Sequence, residues 1–168
     1  VSLEKLDNPI GLGFDANNDK FYLALQPNVS LDSISALLNS KSFMHLKELT
    51  EGAFKKYDEN GDCFYPVNPT ETTASIGGTI STNASGARSF KYGPTRNWVK
   101  KIRVLINTGE ILDIERGQFF AVDGKFIVQT GNGERIIEVP EYSMPDAKNA
   151  SGIYVGRSMD LIDLFIGS

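Results

Sequence analysis

The chain has 168 residues, 40% hydrophobic and 23% charged, with a net charge of −4. This is the make-up of an ordinary globular domain with one real core, and it is short for a complete two-domain enzyme. The acidic balance and the lack of a basic, aromatic-interleaved cluster speak against nucleic acid or an anionic membrane as the main partner, and no apolar run is long enough for a transmembrane segment.

The first clear element in chain order is a strand at Phe21 to Leu25, stopped by Pro27. Ser30 then stands as an N-cap before Leu31, Ile34, Leu37 and Leu38, with Asp32 placed to complement the dipole in the first turn of a helix. A second short helix is predicted from Leu46 to Lys56, ahead of the turn-rich run Asp58 to Asp62. From Phe64 to Gly93 periodicity is almost absent. Ile102, Val104 and Ile106 alternate with Arg103 and Leu105, and Asn107-Thr108-Gly109 turns them into Glu110 to Glu115, a hairpin signature. Phe126 to Gln129 and Arg135 to Val139, joined through Gly131-Asn132-Gly133, predict another hairpin, and Met159 to Ile166 a closing helix. The pattern is α+β with mostly antiparallel strands and flanking helices, not a series of βαβ units.

Four motif readings fail on their context. Gly11-Leu12-Gly13-Phe14-Asp15-Ala16 matches the dinucleotide fingerprint in letters, but Asn8-Pro9 before it and Asn17 to Lys20 after it read as turns rather than as a strand and a helix. Asp15, Asn17 and Asp19 imitate a calcium loop, yet Lys20 stands at the obligatory glycine and Gln26 at the bidentate glutamate. His45 and Cys63 have no partners at metal-ligand spacing, so no metal site is expected. With His45 the only histidine, a Ser-His-Asp or Cys-His assembly has little to build on. The lone Cys63 excludes an internal disulfide framework and fits a reducing compartment.

The informative stretch runs from Tyr65 to Gly93. It contains Pro66, Asn68-Pro69, then Ser75-Ile76-Gly77-Gly78-Thr79, Thr82-Asn83-Ala84, Gly86 and Lys91-Tyr92-Gly93. Adjacent glycines let a backbone approach a ligand closely with its amides turned toward it, and a helical turn opened by Gly78 to Asn83 would form an anion site. Such a loop suits a pyrophosphate or a flat heterocycle. It equally suits an irregular surface loop, and spacing does not decide between them.

These residues, in this order, resemble the second flavin-binding segment of the FAD-linked oxidases, the family of D-lactate dehydrogenase, glycolate oxidase and D-2-hydroxyglutarate dehydrogenase within the vanillyl-alcohol oxidase superfamily. The turn before Glu110, the run Lys148-Asn149-Ala150-Ser151-Gly152-Ile153-Tyr154 and the C-terminal Asp160 to Ser168 extend the likeness over nearly the whole chain. Ser75, Thr79 and Ser85 depart from the family's Thr, Asn and Gly, each remaining small and polar. The resemblance implies the second lobe of a PCMH-type FAD-binding domain over residues 1–168, with 117–145 as a hairpin insertion. The family's first pyrophosphate loop is expected upstream of Val1, which is not an initiator Met, and its cap domain elsewhere in a longer polypeptide.

It further implies non-covalent FAD held near Ile76, Gly77, Gly78, Thr82, Asn83, Gly86 and Tyr92, with Pro66, Asn68 and Ser75 as second choices, and a proton-transfer group that lies in the cap domain, which leaves the catalytic residues unassigned. A hydroxy-acid substrate would bind through the cap domain, hydride would pass from its hydroxyl-bearing carbon to the flavin, and electrons would leave to an acceptor that includes a partner subunit among its options. The alternatives are a flavin-dependent transferase of the alkyl-dihydroxyacetone-phosphate synthase type and a module that kept the fold without the flavin. Asn28, Asn83 and Asn149 head formal glycosylation sequons, but a sugar on Asn83 would obstruct the flavin, so a cytoplasmic or inner-membrane-peripheral location is expected.

Overall fold

Strand β1, Pro9–Asp15, lies in the middle of a three-stranded sheet. It pairs antiparallel with β2, Lys20–Leu25, and parallel with the two-residue β3, Lys47–Glu48. The glycines that imitate a dinucleotide fingerprint have a packing reason. A Cβ on Gly13 would sit 2.3 Å from the Tyr22 ring, and one on Gly11 would sit 2.7 Å from the Lys47 carbonyl oxygen. The run is followed by a tight turn, in which the Asp15 carboxylate accepts the Asn17 N–H at 3.1 Å, and not by a helix. The strand escapes a reading by alternation because glycine carries no side chain to alternate.

The computed structural model describes residues 2–60, 63–145 and 152–167. The chain divides into two units: the first runs to Thr79 and includes Ala84–Gly93, and the second holds Ile80–Asn83 and the chain from Pro94 onward. Lys148 to Ser151, part of the family-like run, lie outside the described residues. Among the described residues no helix is long and apolar enough to cross a membrane.

Helix α1, Leu31–Ser40, forms as its sequence predicts. The Ser30 hydroxyl caps it by accepting the Ser33 N–H at 3.1 Å, and Leu31, Ile34, Leu37 and Leu38 are its buried face. They join Leu12, Val29, Phe43 and Tyr57 in the core of the first unit. Tyr57 is wholly buried, with its hydroxyl donating to the Leu38 carbonyl and its ring meeting Phe21 and Phe43 edge-on.

The predicted helix from Leu46 to Lys56 is corrected. Lys47 and Glu48 pair with β1 instead, and the Leu49 N–H donates to the Leu12 carbonyl. Gly52, at φ +74°, turns the chain into α2, Ala53–Glu59, whose Phe54 N–H is taken by the Glu48 carboxylate at 3.1 Å. Sheet pairing outweighs a helical propensity of a few tenths of a kcal/mol per residue. The stretch read as lacking periodicity also holds two short helices, α3 at Ile76–Ser81 and α4 at Ser89–Tyr92.

In the second unit the two predicted hairpins are present: β4, Lys101–Leu105, with β5, Ile111–Glu115, and β6, Lys125–Thr130, with β7, Gly133–Glu138. Leu112 and Ile114 from β5 and Phe126 and Val128 from β6 share one core with Val99, Leu161 and Ile162. The hairpin within 117–145 is therefore part of that core. The closing helix α5 spans only Leu161–Leu164. Met159 lies outside the helix, its carbonyl accepting the Ala121 N–H, and Asp160 is the cap, its carboxylate accepting the Ile162 N–H at 3.2 Å. The fold is thus mixed α and β, with small, largely antiparallel sheets and few helices.

Glu110, in the β4–β5 turn, ties the two hairpins together. Its carboxylate accepts hydrogen bonds from the Thr130 and Thr108 hydroxyls at 2.7 Å each, and from Arg135 of β7. Those hydroxyls, with Arg135, pull its pKa from 4.5 down to about 2. A depressed folded-state pKa stabilises the fold above the unfolded value, and that contribution is lost as pH falls from about 4.5 through about 2. In urea titrations between pH 5 and pH 2, the wild-type midpoint is expected to fall more steeply than that of Glu110→Gln; parallel slopes would remove Glu110 as a contributor.

The shared core makes a second expectation. Phe126→Ala should destabilise by about 3–5 kcal/mol, while Ile127→Ala, on the exposed side of the same strand, should stay within about 0.5 kcal/mol in urea unfolding. Equal small effects would make the hairpin an appendage.

Candidate cofactor-binding segment

Ser75 precedes α3 and caps it, its hydroxyl accepting the Gly78 N–H at 3.2 Å. The two preceding amides are also taken, Ile76 by the Val29 carbonyl and Gly77 by the Pro27 carbonyl, both at 2.8 Å. The helix therefore starts at Ile76 rather than at Gly78, and the amides expected to face a phosphate are satisfied within the chain. Closely apposed backbone explains Gly77, whose Cβ would meet Pro27 at 2.8 Å. Gly78 is different. It is exposed, its φ is not in the left-handed region, and a Cβ there would meet only the Ser75 hydroxyl, at 3.1 Å.

Beyond α3 the chain turns through Thr82 to Asn83, which adopts φ +46°. The Ala84 N–H reaches back to the Thr79 carbonyl and the Asn83 N–H to the Ile80 carbonyl, a Schellman ending with asparagine in the place usually held by glycine. Asn83 is further fixed by its side-chain oxygen, which accepts the Arg96 N–H at 2.9 Å. Thr82 is exposed.

The remaining predicted residues gather in the first unit. Pro66 is buried and Asn68 exposed. Asn68 meets Gly86 backbone to backbone so closely that a Cβ on Gly86 would lie 1.7 Å from the Asn68 carbonyl oxygen. The same carbonyl accepts the Ala87 N–H, and the Gly86 N–H donates to the Ser89 hydroxyl at 2.7 Å. Tyr92 packs its ring edge-on against Phe64, with centroids 5.7 Å apart. A cleft of about 210 Å3 is lined by Ser35, Asn39, Tyr65, Asn68 and Arg88 among others. Asn68 is the only predicted cofactor residue on its wall, and the volume is below that of usual ligand pockets, about 300–1,000 Å3. The structure thus assembles Ser75–Gly78 and Asn68–Gly86 as separate local groups.

Arg96 carries no signal in the sequence, where a single arginine among turn formers makes no pattern. Its guanidinium, 13% exposed, pairs with the Asp163 carboxylate at 2.7 Å and donates to the carbonyls of Asp163, Ile166 and Gly167. Arg116 joins the same carboxylate at 3.0 Å and donates to the carbonyls of Val99 and Arg96. The Tyr154 ring lies 4.5 Å from the Arg96 guanidinium.

Residues 50–115 match the family model described as FAD binding domain, a span from the turn before α2 to the end of β5 that includes every predicted cofactor residue. The chain is 36% identical to a D-lactate dehydrogenase of Anaerostipes hadrus over 114 residues, 68% of this chain and 19% of that protein. It is 36% identical to a D-2-hydroxyglutarate dehydrogenase of Stutzerimonas stutzeri (strain A1501) over 63 residues, 37% of this chain and 14% of that protein. It is 40% identical to the glycolate oxidase subunit GlcD of Bacillus subtilis (strain 168) over 55 residues, 32% of this chain and 12% of that protein. The chain thus spans no more than about a fifth of the length of these relatives. No solved structure matches it. The FAD-binding match falls on the glycine helix and its flanks, so this stretch of the chain is similar to an FAD-binding domain, consistent with a piece of an FAD-linked oxidase.

Proposed function

We propose that the chain is the second lobe of a PCMH-type FAD-binding domain, over residues 1–168, in a flavoprotein that oxidises a CH–OH group, with a D-2-hydroxy acid such as D-lactate, glycolate or D-2-hydroxyglutarate as substrate. One observation carries the cofactor reading: Gly78. Glycine in a helix costs up to about 1 kcal/mol relative to alanine; its φ here does not call for it, and the one internal neighbour of a Cβ would be the Ser75 hydroxyl at 3.1 Å, which would have to give by a few tenths of an ångström. A flat ligand lying against the helix does ask for it. The residues around it fit such a ligand. Thr82 leaves a small polar side chain at the surface, and Ser75 steadies the first turn of α3.

FAD, when bound, supplies the acceptor for a hydride leaving the hydroxyl-bearing carbon. This chain's own part is to hold and orient: Ile76, Gly77 and Gly78 form the helical turn against which the ligand lies, Thr82 contributes a small polar side chain, Asn83 fixes the turn, and Asn68, Gly86, Pro66 and Tyr92 form the second group of contacts. The substrate's carboxylate and the proton from its hydroxyl are left to a cap domain outside 1–168. The names of the relatives support the substrate class, and the subunit among them supports a partner subunit. The lone Cys63 supports a reducing, cytoplasmic location or one peripheral to the inner membrane.

The test uses the full-length protein. Purified, it should be yellow, and one of the three hydroxy acids should bleach its flavin anaerobically. Gly78→Ala should weaken FAD binding while changing the stability of the flavin-free protein by no more than about 1 kcal/mol, whereas a purely structural role would leave the FAD affinity of the folded variant unchanged. A colourless wild type, or a Gly78→Ala protein with undiminished FAD affinity, would move the site elsewhere. A spectrum changed only by an acyl-dihydroxyacetone phosphate would make the protein a transferase.

A further inference from the structure

We propose that Arg96 is a positioning residue for the cofactor segment, acting through Thr82 and Asn83 without touching the ligand. The inference rests on the reading above that these two residues lie at the flavin. Segment Ile80–Asn83 is held from two sides within the second unit. On one side the Arg96 backbone N–H donates to the Asn83 side chain at 2.9 Å. On the other, Gly167 lies so close that a Cβ on it would fall 2.3 Å from the Ser81 carbonyl oxygen and 2.9 Å from Thr82, and the Gly167 N–H donates to the Ile80 carbonyl.

The Arg96 side chain closes this bracket. Its guanidinium binds the carbonyls of Ile166 and Gly167 as well as Asp163, so one residue grips the turn with its backbone and the opposing strap with its side chain. The strap gains a further tie where Ile153 bridges to Gly167, beside Tyr154, which covers the Arg96 guanidinium. Asp163 keeps the guanidinium oriented, and Arg116 keeps Asp163 in place. Lysine cannot replace this arrangement. It has one nitrogen, whereas the planar fork reaches a carboxylate and three carbonyls at once.

Asn83 needs such a hold, because a non-glycine residue at φ +46° is strained and stays there only when its surroundings fix it. Loss of the grip would let the Thr82–Asn83 turn relax. A displacement of about 1 Å in a supporting element is enough to cost binding of a precisely seated ligand.

The experiment compares FAD dissociation constants and the flavin absorption band shape of full-length wild type, Arg96→Lys, Arg96→Ala and Gly167→Ala. Phe126→Ala serves as a variant destabilised in the same unit through its core, with none of the bracket's hydrogen bonds removed. Arg96→Lys and Gly167→Ala are expected to weaken FAD by about tenfold or more and to alter the band shape. Phe126→Ala should leave both unchanged while it remains folded. Added guanidinium ion should restore part of the affinity of Arg96→Ala. Folded Arg96 variants with wild-type affinity would overturn the proposal. If they do not fold, Gly167→Ala decides it by the same measure, unchanged affinity again overturning it. A wild type that binds no FAD would instead fail the underlying cofactor reading, so the two failures are told apart.

Discussion

The second unit depends on the pairing of Arg96 with Asp163. Both side chains are nearly shut off from water, and a charge in that position costs several kcal/mol unless it is matched. Asp163 is matched twice, by Arg96 and by Arg116. The other donors of both arginines fall on the carbonyls of Val99, Arg96, Ile166 and Gly167. A four-residue helix such as α5 has no stability of its own. It persists because Asp160 caps its start, Arg96 takes the carbonyls at its end, and Leu161 and Ile162 are buried in the core.

How much of this is legible in the sequence follows from how local each feature is. Ser30 before an apolar stripe is a complete helix signal, and Ile102 to Glu115 is a complete hairpin signal, so α1 and the β4–β5 pair can be read directly. Strand β1 cannot, because its glycines look like a ligand loop until Tyr22 and Lys47 are seen against them. Leu46 to Lys56 misleads because the partner of Lys47 and Glu48 lies some 36 residues earlier at Gly11 and Leu12, beyond the reach of any window. The closing helix is shorter at both ends than its apolar pattern for the same reason. Met159 pairs with Ala121, and residues past Leu164 answer to Arg96.

The cofactor segment shows the same division. The order of Asn68, the glycine pair, Asn83, Gly86 and Tyr92 carries the resemblance to an FAD-binding domain, and the FAD-binding match covers all of them. Free amides are not what the glycines provide. The amides at the start of α3 serve Val29, Pro27 and Ser75, and what distinguishes the positions is the space beside each Cα. Arg96 has no signal of its own, since its meaning comes from carbonyls about 70 residues away.

That difference between glycines bears on how such a sequence drifts over evolutionary time. Gly77 and Gly86 are constrained by the chain itself: any side chain would strike Pro27 or Asn68 whatever the protein binds. Gly78 is constrained, on the proposed cofactor reading, chiefly by a ligand, the Ser75 hydroxyl being the one internal neighbour of its Cβ position. In a lineage that abandoned the cofactor but kept the fold, selection would continue to hold the first two, while Gly78 would be released and pushed toward alanine by helix propensity alone. The residue at this one position would then distinguish a working copy from a relic.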